Sequence, residues 1–145
     1  MILCFDIGGS RIKAGRAGAD GAVMPLGAVP TPADDFPAFV QALSGFAGAW
    51  TKGIAISIAG VVDPESGRLK VANIPCLNGR ALAAELGPAL NLPVWVFNDA
   101  DCFTLAEAGL GAGRGHRNVF GIILGTGVGG GLVMDGRIVT GAGGY

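Results

Sequence analysis

The chain has 145 residues, of which 50% are hydrophobic and only 14% are charged. This length and composition fit about one globular domain with a substantial core, and they exclude a disordered chain. The formal net charge of −1 and the lack of a basic run argue against nucleic acid as a partner. The longest stretch without a charge or amide, Val119 to Met134, is shorter than the roughly 20 apolar residues that span a bilayer. We therefore expect neither a nucleic acid partner nor a membrane partner.

The amino terminus and the cysteines predict a cytoplasmic protein. Met1 is followed at once by an apolar run, with neither the basic segment nor the cleavage site of a signal peptide. Cys4, Cys76 and Cys102 are odd in number and widely spaced, which favours reduced core thiols over a disulfide framework. The single histidine, His116, is expected in a solvated loop, so this chain offers no zinc site of its own.

The first part of the chain predicts a sheet with one covering helix. The run Ile2 to Ile7 is apolar and ends in Gly8 and Gly9, as a buried strand ends in a turn. From Asp34 to Trp50 apolar residues recur at spacings of three and four, which indicates an amphipathic helix. The predicted elements are strands at Ile2–Ile7, Arg11–Ala17 and Val23–Val29, the helix Asp34–Trp50, the strand Gly53–Ile58 and a loop at Ala59–Gly67.

The remainder of the chain alternates helices with strands and then becomes rich in glycine. Leucines four residues apart predict a helix despite an internal glycine and proline, and Asp99 or Asn98 is expected to cap the helix that follows. The predicted elements are the helix Arg80–Leu90, the strand Val94–Phe97, the helix Ala100–Leu110, and strands at Val119–Leu124, Gly129–Met134 and Arg137–Val139 around a turn at Asp135–Gly136. The predicted order is β-β-β-α-β-α-β-α, with a flexible boundary at Gly109–Gly115 that separates residues 1–113 from the start of a second domain at 114–145.

Glycine accounts for 27 of the 145 residues, well above the usual share of about 7%. The segments Phe5–Gly15 and Leu124–Met134 follow one plan of strand, glycine-rich turn and strand, which is a weak internal repeat. Turns without side chains can aim consecutive backbone N–H groups at phosphate oxygens. Two ordinary tight hairpins are the alternative, since neither segment matches the Walker or Rossmann phosphate motif.

Three segments together resemble the successive signatures of the ROK family of sugar kinases. They are Phe5-Asp-Ile-Gly-Gly-Ser-Arg-Ile, Phe97-Asn-Asp-Ala-Asp-Cys-Phe-Thr-Leu-Ala-Glu107 and Ile122-Ile-Leu-Gly-Thr-Gly-Val-Gly-Gly-Gly-Leu132. The segment Ala72–Gly79, followed by Asn98-Asp-Ala, is most similar to bacterial N-acetylglucosamine kinases and fructokinases. The resemblance extends over the whole chain in order.

The resemblance implies an α/β fold of the actin, sugar-kinase and Hsp70 type, in which ATP lies between two ribonuclease H-like domains. The chain would then hold the amino-terminal ribonuclease H-like, actin-like ATPase domain, a βββαβαβα mixed sheet, plus the first β-hairpin of the second domain. The activity implied is ATP- and Mg²⁺-dependent phosphorylation of a hexose or N-acetylhexosamine, such as N-acetylglucosamine, fructose, glucose or mannose. We also expect the full-length protein to be a homodimer.

Asp99 matches the catalytic base of the family. It follows a strand of the predicted sheet, at the carboxyl end where open α/β sheets bind ligands, and would accept the proton of the attacking sugar hydroxyl. From the residues alone, the alternative is a helix N-cap. Asp101 is expected to be a solvated acid in the first turn of the same helix and not a second base.

Asp6 matches the family acid that holds Mg²⁺ through water. An acid at the end of a buried strand needs an ion or a hydrogen-bond partner, although a turn-capping aspartate is the alternative. The resemblance assigns further cofactor contacts to the two glycine turns, at Gly8, Gly9, Ser10 and Arg11 on one side and at Gly125, Thr126 and Gly127 on the other.

Sugar contacts are implied for four positions: Gly60, Asn73, Asn98 and Asp99. The first three could also be explained as turn chemistry. Asn78–Gly79 is predicted to be a plain turn.

The sequence departs from the family pattern at a few positions. Ser10 and Arg11 stand where many members have Thr and Lys, and Ala59 stands where a proline often occurs; these changes leave the class intact. The sequence ends at Tyr145, just before the place where relatives carry a Glu-x-Gly-His sugar clamp. The adenosine pocket and a cysteine-rich structural Zn²⁺ motif are expected beyond that point. We therefore interpret the chain as an amino-terminal fragment, about half of a kinase and inactive alone.

Two other classes remain as alternatives. A sugar-sensing ROK regulator would carry a DNA-binding helix-turn-helix ahead of the first glycine turn, and only five residues precede Asp6. A non-catalytic sugar-binding module would keep the glycine turns without needing Asp99.

Overall fold

A computed structural model describes residues 1–125 and 127–144. In chain order the strands are β1 (Ile2–Ile7), β2 (Arg11–Ala17), β3 (Val23–Pro30), β4 (Gly53–Ile58), β5 (Val61–Val62), β6 (Leu69–Lys70), β7 (Val94–Asn98), β8 (Asn118–Leu124), β9 (Val128–Met134) and β10 (Arg137–Ile138). The helices are α1 (Phe36–Ser44), α2 (Leu82–Leu90) and α3 (Asp99–Leu110), with a short 3₁₀ helix at Pro75–Leu77. None of these helices is long and apolar enough to cross a bilayer, within the part of the chain that the structure describes.

The largest sheet has five strands in the order β3-β2-β1-β4-β7. β1 to β3 form antiparallel pairs, whereas β4 lies parallel to both β1 and β7. In the parallel part Ile7 pairs with Ile58, and Ile58 pairs with Asn98. Since β1, β4 and β7 end in register, the segments that leave their carboxyl ends start side by side at one edge of the sheet.

One face of this sheet forms the main core with α1 and α2. Alternate residues of a strand face opposite sides, so the helix-facing side chains of β1, β2 and β4 are fully or nearly fully buried. They are Leu3, Phe5, Ile7, Ile12, Ile54, Ile56 and Ile58, packed with Phe39 and Leu43 of α1 and Leu82 and Leu86 of α2. Each such side chain contributes about 1.5 to 3 kcal/mol through burial, which fixes the strand ends that carry the polar residues.

A second, three-stranded sheet in the order β10-β9-β8 packs against α3. The contact is close because glycines lie below the helix. A Cβ atom on Gly131 would stand 2.6 Å from the Ala100 carbonyl oxygen, and one on Gly121 would overlap the Thr104 hydroxyl. α3 also contacts β4 and β7, so it lies between the two sheets.

The far side of the three-stranded sheet is apolar and exposed. Phe120, Ile122 and Leu124 alternate with residues that face α3, and they expose 66%, 54% and 78% of their surface. Val128 on the neighbouring strand exposes 79%. β8 is also an edge strand, since within the described residues it pairs only with β9.

The order of the longer elements agrees with the sequence prediction, whereas local boundaries differ and β5, β6 and the 3₁₀ helix were not predicted. α1 is shorter than the predicted Asp34–Trp50 because the Asp35 side chain caps its start, accepting a bond from the Ala38 N–H at 3.0 Å, and Gly45 ends it. The loop predicted at Ala59–Gly67 contains β5, which pairs with β6 in a small hairpin. Two-residue strands leave too little periodicity for sequence prediction. The division at residue 113 stays a prediction.

The close packing of α3 predicts a costly substitution at Gly131. Gly131→Ala should lower the free energy of unfolding by about 1 to 3 kcal/mol, because the new methyl group meets a backbone carbonyl that cannot rotate away. Gly109→Ala is the control, since a Cβ there meets nothing within 4 Å and alanine should stabilise α3 by about 0.5 to 1 kcal/mol. Urea unfolding measures both, and equal effects would contradict the packing argument.

Candidate active site

The first glycine turn, between β1 and β2, is held at both ends. Gly8 donates its N–H to the Arg11 carbonyl at 3.0 Å, and the Thr31 hydroxyl donates to the Gly8 carbonyl at 2.7 Å. Thr31 also donates its N–H to the Ser10 carbonyl at 3.1 Å. Within residues 1–125 and 127–144, the N–H groups of Gly9 and Ser10 have no intramolecular acceptor. These two amides are therefore the donors that the turn can offer to an anion.

Thr31 is a functional candidate that the sequence analysis missed. It follows the last residue of β3, whose Pro30 pairs with Arg11, so the strand pairing brings its hydroxyl against the turn. The available signal was a hydroxyl residue just after the predicted strand Val23–Val29, and the sequence analysis did not use it.

The turn contacts the segment before the 3₁₀ helix. A Cβ on Gly9 would stand 2.9 Å from the Cβ of Asn73 and 3.2 Å from its carbonyl oxygen. Only glycine allows this approach without displacement of the Asn73 backbone. Gly9 and Asn73, predicted to bind phosphate and sugar respectively, are thus direct neighbours.

Gly60 follows the end of β4, and Asn98 is the last residue of the neighbouring strand β7. The two residues are joined by a hydrogen bond. The Asn98 Nδ2 donates to the Gly60 carbonyl at 2.6 Å. The Asn98 Oδ1 accepts from the N–H groups of Ala100 at 2.9 Å and Asp101 at 3.3 Å, which makes Asn98 the N-cap of α3. Of the two caps expected from the sequence, Asn98 is the one that flanks the helix.

Asp99 is the first residue of α3 and is half-buried. It lines an open cavity of about 440 Å³ together with Gly60, Asn73 and Asn98 on one side. Its Oδ1 accepts a 2.9 Å bond from the Ala100 N–H. The carboxylate thus lies at the positive end of a helix and next to a space that a small ligand can enter.

The second glycine turn borders the same cavity from the other sheet. Gly125 and Gly127 both line it, and the Gly125 N–H donates to the Gly127 carbonyl at 2.9 Å. As in the first turn, the leading glycine uses its N–H to close the turn. Thr126, the remaining predicted contact, lies outside the described residues.

Asp6 differs from the expectation of an acid buried at a strand end. It lies on the face of β1 that α1 and α2 do not cover, and 62% of its side chain is exposed. Its Oδ2 is 3.8 Å from the Nζ of Lys13, its cross-strand neighbour. Within the described residues no three metal-ligating side chains come together. One exposed carboxylate beside a turn with free N–H groups fits Mg²⁺ that is otherwise held by water and phosphate oxygens.

The first turn of α3 concentrates negative charge. Burial raises the pKa of Asp101, and the charge of Asp99 raises it further. Asp101 is half-buried, whereas the sequence analysis expected it to be solvated. Burial raises the pKa of the Cys102 thiol, a hydrogen bond with the Ser57 side chain lowers it, and the charges of Asp101, Asp99 and Asp6 raise it further. Cys102 therefore stays a neutral thiol near all three carboxylates.

All three cysteines, Cys4, Cys76 and Cys102, are free thiols and half-buried.

Asp101 does not line the cavity of Asp99. It lines an adjoining space of about 330 Å³ with Val61, Asn98 and Gly144. Of these two acids, Asp99 is the one that shares a cavity with the second glycine turn and with Asn73, which in turn contacts Gly9 of the first turn.

Comparison with known proteins gives consistent relationships over this chain. It is 39% identical over 152 residues to the N-acetylgalactosamine kinase AgaK of Shewanella sp. strain ANA-3, covering 98% of this chain and 48% of that protein. It is 39% identical over 147 residues to the N-acetyl-D-glucosamine kinase of Shigella flexneri serotype 5b, covering 97% and 48%.

The fold is similar to that of a ROK family glucokinase from Streptomyces griseus, whose structure holds glucose and AMPPNP. The TM-score is 0.84 at 30% identity, over 99% of this chain and 47% of that one. The chain thus spans about half the length of the relatives that it matches. Residues 2–145 match the ROK family, and the chain belongs to that family.

Proposed function

We propose that this chain is the amino-terminal half of a kinase that transfers the γ-phosphoryl group of ATP to a hydroxyl of a hexose or N-acetylhexosamine. The observation that carries the proposal is the position of Asp99. Its half-buried carboxylate lines a cavity bounded by Gly125 and Gly127 on one side and by Gly60 and Asn73 on the other. A base between a phosphate-binding turn and polar groups for a sugar is what phosphoryl transfer to an alcohol requires.

In the proposed reaction Asp99 accepts the proton of the sugar hydroxyl. The hydroxyl oxygen forms a bond to the γ-phosphorus as the bond between that phosphorus and the β,γ-bridging oxygen breaks, and ADP leaves. Asp99 is positioned at the start of α3, where one carboxylate oxygen lies 2.9 Å from the Ala100 N–H, a donor that it shares with the Asn98 Oδ1. The other oxygen remains for the substrate. Positioning supplies much of the rate gain in this chemistry.

The phosphates would lie between the two glycine turns. The N–H groups of Gly9 and Ser10 supply donors without a bulky side chain in the way, and Gly125, Thr126 and Gly127 would act from the opposite sheet. The guanidinium of Arg11 is exposed beside the first turn and would add positive charge. Asp6 would hold the Mg²⁺ through water, and this ion neutralises charge on the phosphates when bound.

The sugar would lie on the side of Gly60, Asn73 and Asn98. The relatives named for amino sugars and the glucokinase similarity support the hexose and N-acetylhexosamine class. We infer that the preferred sugar is among N-acetylglucosamine, fructose, glucose and mannose. The homodimer, the cytoplasmic localisation and the structural Zn²⁺ site beyond residue 145 stay predictions.

Replacement of the base tests the proposal directly. In a polypeptide that extends this chain to the length of its relatives, Asp99→Asn should lower kcat about 10²- to 10⁴-fold, because the amide cannot accept the proton. Sugar affinity, measured by calorimetry, should change little, since Asn keeps the size of the side chain and can still hydrogen-bond to a sugar hydroxyl, now as a donor. A variant with near-normal kcat would remove Asp99 from this role.

In contrast to Asp99→Asn, Asp101→Asn should leave turnover unchanged and should raise the free energy of unfolding at neutral pH. The pKa of Asp101 is raised in the fold by burial and by Asp99, so the ionised carboxylate destabilises the folded state above that pKa. The amide removes this penalty. As pH falls through the raised pKa of the folded state toward the ordinary aspartate pKa of about 3.9, the folded carboxyl takes up its proton first and the advantage of the amide should shrink, until below about 3.9 both states are protonated. Urea unfolding from pH 7 down to pH 4 measures this, and a gain that is independent of pH would contradict it.

The chain of 145 residues should release no sugar-dependent ADP in a coupled assay. Transition-state stabilisation needs both walls of the cleft, and this chain spans about half of its relatives. The extended polypeptide is the positive control under the same conditions. Ordinary turnover by the chain of 145 residues would show that the half-length chain is sufficient.

A further inference from the structure

The side-chain amide of Asn98 is engaged on both of its ends. Its oxygen accepts from two N–H groups of α3, those of Ala100 at 2.9 Å and Asp101 at 3.3 Å, and its nitrogen donates to the Gly60 carbonyl at 2.6 Å. An oxygen of this type has two lone pairs, and both are used. The reverse orientation would put the NH₂ group against two N–H donors and the oxygen against a carbonyl, so the network fixes the orientation of the amide.

Gly60 is itself held tightly on its other side. A Cβ there would stand 2.8 Å from a methyl of Val71 and 2.9 Å from the Lys70 carbonyl, and the Gly60 N–H donates to the Ile58 carbonyl at 2.9 Å. Gly60 thus connects the end of β4 with the segment at β6 through close contacts. The hydrogen bond from Asn98 to the Gly60 carbonyl connects the first turn of α3 to the same place.

From this geometry we propose that Asn98 is a positioning residue, which ties the loop at Gly60 to the start of α3 and thereby fixes Asp99 relative to the Gly60 side of the cavity. The catalytic consequence rests on the proposed kinase function. The sequence assigned Asn98 to sugar binding, yet in the fold only one Nδ2 hydrogen is left for a ligand. The principal contribution of Asn98 is to hold the loop at Gly60, which faces the sugar, and the start of α3, which carries the base, in fixed positions relative to each other.

Two variants separate the hydrogen bond from Asn98 to the Gly60 carbonyl, which we call the tie, from the bonds by which Asn98 caps α3. Asn98→Ser keeps a good helix cap but is too short to reach the Gly60 carbonyl. Asn98→Asp keeps both the cap and the length of the side chain, but it places an oxygen against the Gly60 carbonyl in place of a donor. Asn91→Gly is the matched control, because Asn91 is an exposed residue with a φ of 51° at the end of α2, where glycine is readily accepted.

Amide hydrogen exchange on the chain of 145 residues tests the tie without substrate. In both Asn98 variants the Gly60 and Val61 amides should exchange about tenfold faster or more, because the Gly60 carbonyl, which shares a peptide group with the Val61 N–H, loses its bond from Asn98 and the loop opens more often. The Ala100 and Asp101 amides should keep their protection, and so should the core strand residue Ile56, which reports that the fold is intact. Unchanged exchange at Gly60 and Val61 in Asn98→Asp would overturn the proposal.

Kinetics in the extended polypeptide test the consequence. A lost tie should lower kcat in Asn98→Asp by about tenfold to a hundredfold, because small misplacements of a catalytic group are costly, with a smaller change in sugar KM. A rise in KM with unchanged kcat would mean that Asn98 acts as a plain sugar contact and would overturn the catalytic part. If the unmodified polypeptide phosphorylated no sugar, the kinase proposal would fail, while the exchange result would still decide the tie.

Discussion

The arrangement of the candidate site depends on the parallel pairing of β1, β4 and β7. Ile7, Ile58 and Asn98 lie in register, so three segments distant in sequence leave the sheet at one edge. The main core under these strands holds that edge in place, since the helix-facing side chains of β1 and β4 are fully or nearly fully buried. Polar groups at the strand ends are thereby positioned by apolar packing several ångströms away.

α3 connects this edge to the second sheet. Its first turn carries Asp99, and glycines at positions 121 and 131 let its backbone approach β8 and β9 closely. The turn at Gly125–Gly127 belongs to those same strands. The position of the carboxylate relative to this turn is therefore set by backbone packing, which is less variable than the contact of two long side chains.

The sequence predicted most of the element order because the apolar periodicity in the longer segments is clear, and the family resemblance singled out the glycine turns and Asp99 as candidates. The roles within the site were harder to predict. Two caps were possible for α3, and only the bonds made by Asn98 show that it caps the helix and also reaches Gly60. Thr31 was missed because its contact with Gly8 follows from strand pairing across 23 residues. The exposure of Asp6 depends on which sheet face the helices cover, and the apolar run around it did not reveal that.

The exposed side of the three-stranded sheet affects how these 145 residues behave in solution. Phe120, Leu124 and Val128 expose 66%, 78% and 79% of their surface, and the first two belong to the edge strand β8. Contiguous apolar surface next to unpaired ladder groups attracts other molecules even when every one of them is fully folded. Aggregation of the chain would then begin from encounters between native molecules, and it would increase with protein concentration and with added sulfate sooner than with mild heating.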